Sequence, residues 1–243
     1  MPKPRIMFYH DGRHPLIYMY EPPMQKEEYE ASVDELVGTP VEAIMFCMGD
    51  GRTVLHDTKV GELWGHNVES WPQVLFHRAH KNAVALIESG NDPLRVICDR
   101  AHDKGLLLYA TLLVQQGRGK RGEDVRSSDF RFDNQHLEIN ARGDLDPSER
   151  AYRGLDFKHQ EVRDERSAVI EETLANYEVD GFELHLSYSP HYFHPSEVEA
   201  GRATMTEWIG SVYKAVKASG PDRELVVRIP ASIDACPSAG LAP

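Results

Sequence analysis

Short apolar segments alternate with longer segments of helical periodicity along this chain, and that order constrains the fold more than any other feature. Strands separated by helices pair side by side in parallel, because each helix carries the chain back across the sheet. The order therefore predicts an α/β protein with about five parallel strands. The predicted strands cover residues 5–10, 41–48, 106–114, 179–187 and 224–229, and the predicted helices cover residues 26–37, 82–89, 93–104, 162–177 and 203–218.

The fourth predicted strand, residues 179–187, carries apolar side chains on one face and reactive side chains on the other. Side chains alternate between the two faces of a strand. A strand of this kind suits a barrel wall, with helices packed outside and a polar interior. An edge strand whose polar face meets water is the alternative. The apolar face holds Phe182, Leu184 and Leu186, and the polar face holds Glu183, His185 and Ser187.

The length of the chain limits how much of such a barrel it can build. The 243 residues, 41% of them hydrophobic, suit a single domain that spans residues 1–243. A closed (β/α)8 barrel needs eight strands and typically about 250 residues with short loops, whereas this chain has long loops. We therefore expect a partial (β/α)8 TIM barrel with about five parallel strands and long βα loops. Its open sheet edges predict a homo-oligomer that covers them.

Charge and hydropathy exclude two classes of partner. The formal net charge is −12, and proteins that bind nucleic acids need a basic surface, so no nucleic-acid partner is expected. No apolar run approaches the roughly 20 residues of a membrane span, so no membrane partner is expected either. The first residues lack the apolar core of a signal peptide, which predicts a cytoplasmic protein, or a secreted one if a leader has been removed.

Active sites of (β/α) barrels lie at the carboxyl ends of the strands, which favours Asp11, Asp50, Gln115 and Arg228. Glu183 and His185 are chosen instead from the polar face of the fourth predicted strand. Glu183, His185 and Asp11 are the candidate catalytic residues. A polar turn remains the alternative for Asp11, a tight turn for Asp50 and a capping role for Gln115. The candidate substrate-binding residues are His10, Arg13, Asp50, Gln115, Tyr188, His191 and Arg228.

Arg228 bears directly on the state of Glu183. Alternation places its cation on the same face of the sheet as Glu183, where the cation would hold the carboxylate ionised. A general acid would instead require Glu183 to be desolvated and protonated. Both states remain open from the sequence.

Residues 154–164, GLDFKHQEVRD, and residues 177–184, YEVDGFEL, resemble bacterial family 10-like glycosyl hydrolases, which are glycoside-hydrolase-like TIM barrels. The resemblance continues through residues 193–195, 205–208 and 226–231, and it covers the first five units of such a barrel. It implies a carbohydrate substrate and carboxylate chemistry. In the wider clan of retaining glycosidases, strand four carries the acid/base, which corresponds to Glu183, and strand seven carries the nucleophile, for which this chain has no counterpart.

The main hypothesis is thus a hydrolase of glycosidase type that acts on an oligo- or polysaccharide without a cofactor and uses Glu183 as general acid/base. One alternative is a non-catalytic sugar-binding or assembly protein with an incomplete barrel. The other is a metal-dependent polysaccharide lyase or hydrolase. Its metal ligands would be chosen from His10, His14, His185, His191 and His194 together with Glu183 or Asp11.

Overall fold

A mostly parallel sheet organises the part of the chain that the structure describes. The computed structural model describes residues 3–115, 117 and 119–232, without the side chains of residues 150 and 151. The five longer strands pair in parallel in the order β1–β2–β5–β6–β7, while β3 pairs antiparallel with the end of β2, and β4 pairs with β3. The strands are β1 (Met7–His10), β2 (Ala43–Asp50), β3 (Thr53–Val54), β4 (Glu62–Leu63), β5 (Leu107–Leu113), β6 (Gly181–His185) and β7 (Glu224–Arg228).

Helices lie between the strands, as the alternation predicts. Helix α3 begins where the Asp92 side chain accepts a hydrogen bond from the Arg95 amide at 2.9 Å, and it is followed by Gly105 at a φ of 73°. Within the described ranges no helix is long and apolar enough to cross a membrane. The helices are α1 (Lys26–Asp34), α2 (Val74–Glu88), α3 (Pro93–Asp103), α4 (Asp129–Asp133), α5 (Gln160–Asn176) and α6 (Val198–Ser219).

Two helices begin at least five residues earlier than predicted, whereas α5 begins only two residues earlier. Helix α2 begins at Val74 and not at residue 82, because its first turns carry several polar residues that hide the periodicity. Helix α6 begins at Val198 and not at residue 203, because Gly201 lies in its second turn and lowers the helical propensity. A Cβ atom at Gly201 would lie 2.5 Å from the Phe193 ring, so this glycine allows the preceding loop to pack against the helix.

The main hydrophobic core lies between the sheet and the helices. Phe182, Leu184 and Leu186 are fully buried in it, together with Ile44 and Leu108 from the neighbouring strands. Burial of these side chains is the main force that holds the helices on this side of the sheet.

The opposite side of the sheet is concave. Strands β1 and β7 are separated by three strands, and four steps of about 4.8 Å would place them roughly 19 Å apart in a flat sheet. The Arg228 guanidinium of β7 nevertheless lies 4.5 Å from the centre of the Tyr9 ring of β1. Side chains that stand roughly perpendicular to a flat sheet cannot meet across that span. The sheet therefore curves toward the side of Tyr9 and Arg228, which we call the inner face.

The long connection after β5 is folded against the rest of the chain. Leu137, Ile139, Leu155 and Phe157 are buried, and α4 lies within the connection. Gln115, at the end of β5, donates from Nε2 to the carbonyl oxygens of Leu155 at 3.0 Å and His191 at 2.8 Å. These bonds tie the connection to the loop after β6. That this connection forms a lid over a substrate stays a prediction.

Leu184→Ala tests the assignment of the two faces of β6. The side chain is fully buried among the helices, so we expect the free energy of unfolding to fall by about 2–5 kcal/mol, measured by denaturant unfolding. Tyr213→Ala, at a site 51% exposed on α6, is the control and should change that free energy by about 0.5 kcal/mol or less. Equal effects of the two substitutions would contradict the assignment.

Candidate active site

Glu183 is a buried carboxylate whose two oxygens are both engaged. The residue is 1% exposed, although it lies on the inner face and not in the core between sheet and helices. Its Oε1 accepts a hydrogen bond of 2.7 Å from Arg228 Nε, and its Oε2 accepts one of 2.6 Å from Thr111 Oγ1. A carboxylate with a cation on one oxygen and a hydroxyl donor on the other is arranged as an anion.

The register of the sheet produces this arrangement. Thr111 of β5 pairs with Glu183 of β6, and Arg228 of β7 pairs with His185, one alternation further along. The three side chains consequently point to the same face from adjacent strands. The Arg228 guanidinium also lies over the Tyr9 ring, so an aromatic face covers the cation that pairs with Glu183.

His185 lies beside this pair in its neutral form. Burial, and then the charge of Arg228, lower the pKa of His185 to about 4. Its Nε2 lies 3.0 Å from Ser187 Oγ, and its ring lies edge-on to Tyr9 with the ring centres 5.6 Å apart. Its Nδ1 is buried and has no hydrogen-bond partner among the described residues. At neutral pH the imidazole beside the Glu183–Arg228 pair is therefore neutral.

An ion-pair chain lies at the carboxyl ends of β1 and β2. The buried Asp50 accepts a hydrogen bond of 2.6 Å from Arg13 Nη1, and Arg13 Nε donates to Asp11 Oδ1 at 2.8 Å. The Asp11 side chain is 45% exposed. Burial raises its pKa, but the charge and hydrogen bonds of Arg13 outweigh burial, and the pKa of Asp11 is lowered overall. The chain therefore presents Asp11 to solvent as a fixed, ionised carboxylate.

Cys47 is not a nucleophile at neutral pH. It pairs with Thr111 in the sheet and is fully buried, and burial raises the pKa of its thiol to about 12. The thiolate, which is the reactive form, is therefore almost absent at neutral pH. A Cβ atom at Gly12 would lie 2.3 Å from the Cys47 carbonyl oxygen, so this glycine allows the end of β1 to approach β2 closely.

Two of the predicted substrate-binding residues point elsewhere. His10 stacks on Phe46 of the main core, with ring centres 5.1 Å apart, and its Nε2 lies 3.9 Å from Glu35. It is thus on the helix side of the sheet, where burial lowers its pKa to about 4. Gln115 is 2% exposed and its amide binds backbone groups. The Gln115 amide thus contacts backbone groups, and His10 lies on the opposite side of the sheet from Glu183. Substrate binding by these two residues stays a prediction.

Tyr188 and His191 lie in the loop after β6. The Tyr188 ring is 49% exposed, lies 6.3 Å from the His185 ring, and its hydroxyl accepts a hydrogen bond of 2.8 Å from Arg126. The His191 ring lies edge-on to Tyr152 with the ring centres 6.0 Å apart. Tyr188 therefore adjoins the inner face, and Arg126 holds its hydroxyl.

Sequence reasoning missed Tyr9, Thr111 and Arg126. Strand alternation puts Tyr9 and Thr111 on definite faces, but only the register reveals that Thr111 lies beside Glu183. Arg126 comes from the long connection, for which no local pattern predicts a position.

The histidine set proposed for a metal does not come together in the described part of the chain. There, the group whose ligand atoms lie within 4.8 Å of one another is Glu62, His66 and Asp129. None of these three residues belongs to the predicted set.

The fold is similar to that of domains in known glycoside hydrolases. An α-L-fucosidase isoenzyme 2 from Paenibacillus thiaminolyticus superposes with a TM-score of 0.57 at 10% identity, over 92% of this chain and 32% of that one. The galactosidase domain of the α-galactosidase–sucrose kinase AgaSK gives 0.55 at 12% identity, over 94% and 27%. A GH36 α-galactosidase from Geobacillus stearothermophilus gives 0.53 at 12% identity, over 98% and 30%.

These likenesses concern the fold alone, because the identities are low. The chain spans about a third of the length of the fucosidase and the GH36 galactosidase. No family model matches the sequence, and no curated protein matches it. The fold is therefore similar to that of glycoside hydrolase domains, and membership of the family 10-like group stays a prediction.

His185→Gln tests the neutral state of His185. Its pKa is about 4 in the folded chain and near 6.5 in the unfolded chain, so the unfolded chain binds more protons between these values. The stability of the unsubstituted protein should therefore fall as the pH is lowered. Between about pH 7 and pH 4.5, the free energy of unfolding of the variant should fall by about 1–3 kcal/mol less than that of the unsubstituted protein, measured by denaturant unfolding. His102→Gln, which removes a surface imidazole, is the control, and an equal pH dependence of all three proteins would contradict the prediction.

Proposed function

We propose that this chain is a carbohydrate-active protein of glycosidase type, in which β1, β2, β5, β6 and β7 are the first five strands of a (β/α)8 barrel. The observation that carries the proposal is the buried Glu183 carboxylate, held between Arg228 and Thr111 on the inner face of the sheet. Functional carboxylates of (β/α) barrels project into the barrel near the carboxyl ends of the strands, and Glu183 projects to the inner face from the middle of β6. Glu183 lies on the fourth of the five parallel strands, the position that the resemblance assigns to the acid/base.

The contacts of Glu183 favour a role as general base over a role as general acid. A general acid must hold a proton, whereas the Arg228 cation stabilises the ionised carboxylate. As a base, Glu183 would accept a proton from water or from a sugar hydroxyl that replaces the Thr111 hydroxyl on Oε2. Arg228, which donates to the other oxygen, would orient the carboxylate for that step.

The surrounding groups suit a hydroxyl-rich ligand. Asp11 offers fixed acceptor oxygens for sugar hydroxyls, and the half-exposed Tyr188 ring offers a surface on which the apolar face of a sugar can stack. Arg13 and Asp50 would act by positioning Asp11. An oligo- or polysaccharide is therefore the substrate class that we propose.

The second carboxylate of the site would come from the strands that complete the barrel. A retaining glycosidase places its two carboxyl groups about 5–5.5 Å apart, and an inverting one places them about 6.5–9.5 Å apart. Closing the sheet between β7 and β1 would take three further strands. We propose that these strands bring the partner of Glu183.

A non-catalytic sugar-binding or assembly protein is the second candidate. It is favoured by one observation, the occupation of both Glu183 oxygens in a residue only 1% exposed. A carboxylate in that state can anchor the wall of a binding site without taking part in proton transfer.

Glu183→Gln separates these functions when turnover and binding are both measured on an oligosaccharide panel. The glycosidase proposal expects the variant to lose about 100-fold or more in kcat/KM, a typical contribution of general acid–base catalysis. Glu165→Gln is the matched control, because Glu165 is also a buried carboxylate paired with an arginine, Arg166, but lies on α5. The control should keep its turnover at equal folded fraction, which thermal unfolding measures.

The possible results distinguish a glycosidase from a sugar-binding protein. Undiminished turnover in Glu183→Gln would remove Glu183 from the mechanism. Calorimetric binding of a sugar by the unsubstituted protein without turnover would support the binding protein instead. If the unsubstituted protein neither binds nor turns over any sugar of the panel, the carbohydrate-active proposal is overturned.

Self-association is a further expectation from the open sheet. Among the described residues, β1 and β7 each have one strand neighbour, and Ile6, Met7 and Phe8 are 46%, 37% and 38% exposed along β1. As the alternative to closure by further strands, we propose that a second copy covers this edge, because an open apolar edge promotes pairing. Light scattering should give a mass above that of one chain at micromolar concentration, and a monomer mass there would contradict the proposal.

A further inference from the structure

Glu62, His66 and Asp129 form a triad of one imidazole and two carboxylates that is separate from the Glu183 site. Glu62 belongs to β4, His66 follows it by four residues, and Asp129 is the first residue of α4. His66 Nε2 lies 3.1 Å from Asp129 Oδ2 and 3.4 Å from Glu62 Oε2. The triad therefore joins the chain after β3 to the long connection after β5.

The contact of the second ring nitrogen of His66, Nδ1, determines which nitrogen faces the two carboxylates. Nδ1 lies 3.0 Å from the Leu63 carbonyl oxygen, which can only accept a hydrogen bond, so Nδ1 carries the proton. Nε2 is then the ring nitrogen that faces the two carboxylate oxygens and can share an ion with them. A backbone carbonyl that accepts from the second ring nitrogen is also the usual partner of a metal-bound histidine.

The outer oxygens of both carboxylates are held by neighbouring side chains. Glu62 Oε1 accepts a hydrogen bond of 3.0 Å from Arg52 Nε. Asp129 Oδ1 accepts one of 2.9 Å from Asn67 Nδ2 and one of 3.3 Å from Arg121. The inner oxygens, Glu62 Oε2 and Asp129 Oδ2, face His66, although Oε2 also accepts from the Asp129 amide at 2.7 Å. Each carboxylate is thus oriented by partners that leave one oxygen directed at the imidazole.

We propose that this triad binds a divalent transition-metal ion of the zinc class. Ligand atoms about 2.1 Å from a tetrahedral ion lie about 3.4 Å from each other, close to the 3.1 and 3.4 Å observed here. One nitrogen and two oxygen ligands suit zinc and leave a fourth position for water or another ligand.

A cavity adjoins the imidazole of the triad, although neither Glu62 nor Asp129 lines it. His66 borders a cavity of about 560 Å³ together with Trp71, His77 and His80. Gly65 has a φ of 78°, and a Cβ atom there would lie 2.9 Å from the Trp71 ring, so the glycine lets the turn before His66 pack closely against this aromatic wall. The metal proposal uses none of the residues of the Glu183 site and stands whether or not that site is catalytic.

The test is metal binding by the full chain after treatment with a chelator. Isothermal titration with Zn²⁺ should give one site, and Co²⁺ should give the visible absorption of a four-coordinate ion. His66→Ala should weaken Zn²⁺ binding by at least about tenfold. Asn67→Ala, which removes the shorter of the two hydrogen bonds to Asp129 Oδ1, should weaken it by about 10- to 100-fold. The matched control is His102→Ala, because His102 pairs with a single carboxylate, Asp180, at 2.9 Å.

The proposal predicts that His102→Ala binds Zn²⁺ as the unsubstituted protein does. It is overturned if the unsubstituted protein binds no Zn²⁺, since the triad is then a cluster of salt bridges. It is also overturned if His66→Ala binds Zn²⁺ as tightly as the unsubstituted protein, since the ion then lies elsewhere. Circular dichroism of each variant verifies that a loss of binding is not a loss of folding.

Discussion

The pairing of Glu183 with Arg228 is the interaction on which the inner face depends. A carboxylate that is 1% exposed is costly to bury as an anion unless a cation and hydrogen-bond donors replace its water. Arg228 supplies the cation at 2.7 Å, and Thr111 supplies the donor at 2.6 Å. Tyr9, on the strand at the opposite edge of the sheet, covers the guanidinium. The pair thus links the two edge strands through the curvature that lets Tyr9 reach Arg228.

The sequence predicts the strands and their faces well, because alternation and burial are local properties. Glu183, His185 and Arg228 share a face in the structure as alternation requires, opposite the core residues of β6. Which face of β1 is the inner one depends on curvature, and curvature arises from strand pairing over the whole sheet. The sequence therefore predicts His10 for the site, whereas in the structure its neighbour Tyr9 lies on the inner face.

The contacts of the loops could not be predicted for a different physical reason. Beyond the end of a strand no periodicity fixes the direction of a side chain, so its partners depend on segments distant in sequence. Gln115 binds backbone groups at Leu155 and His191, 40 and 76 residues away. The metal triad likewise joins residues separated by more than sixty positions, and no spacing rule would select Glu62, His66 and Asp129 together.

The ionisation states of the inner face indicate what the Glu183 site lacks. The carboxylate is arranged as an anion, and the pKa of about 4 leaves His185 neutral at neutral pH. Burial raises the pKa values of Tyr9 and Cys47, so these two groups retain their protons and are poor donors to a leaving group. Glycosidase chemistry needs both a carboxylate and a carboxylic acid. Glu183, His185, Tyr9 and Cys47 thus supply no carboxylic acid, so a catalytic Glu183 would need an acidic partner other than these neighbours.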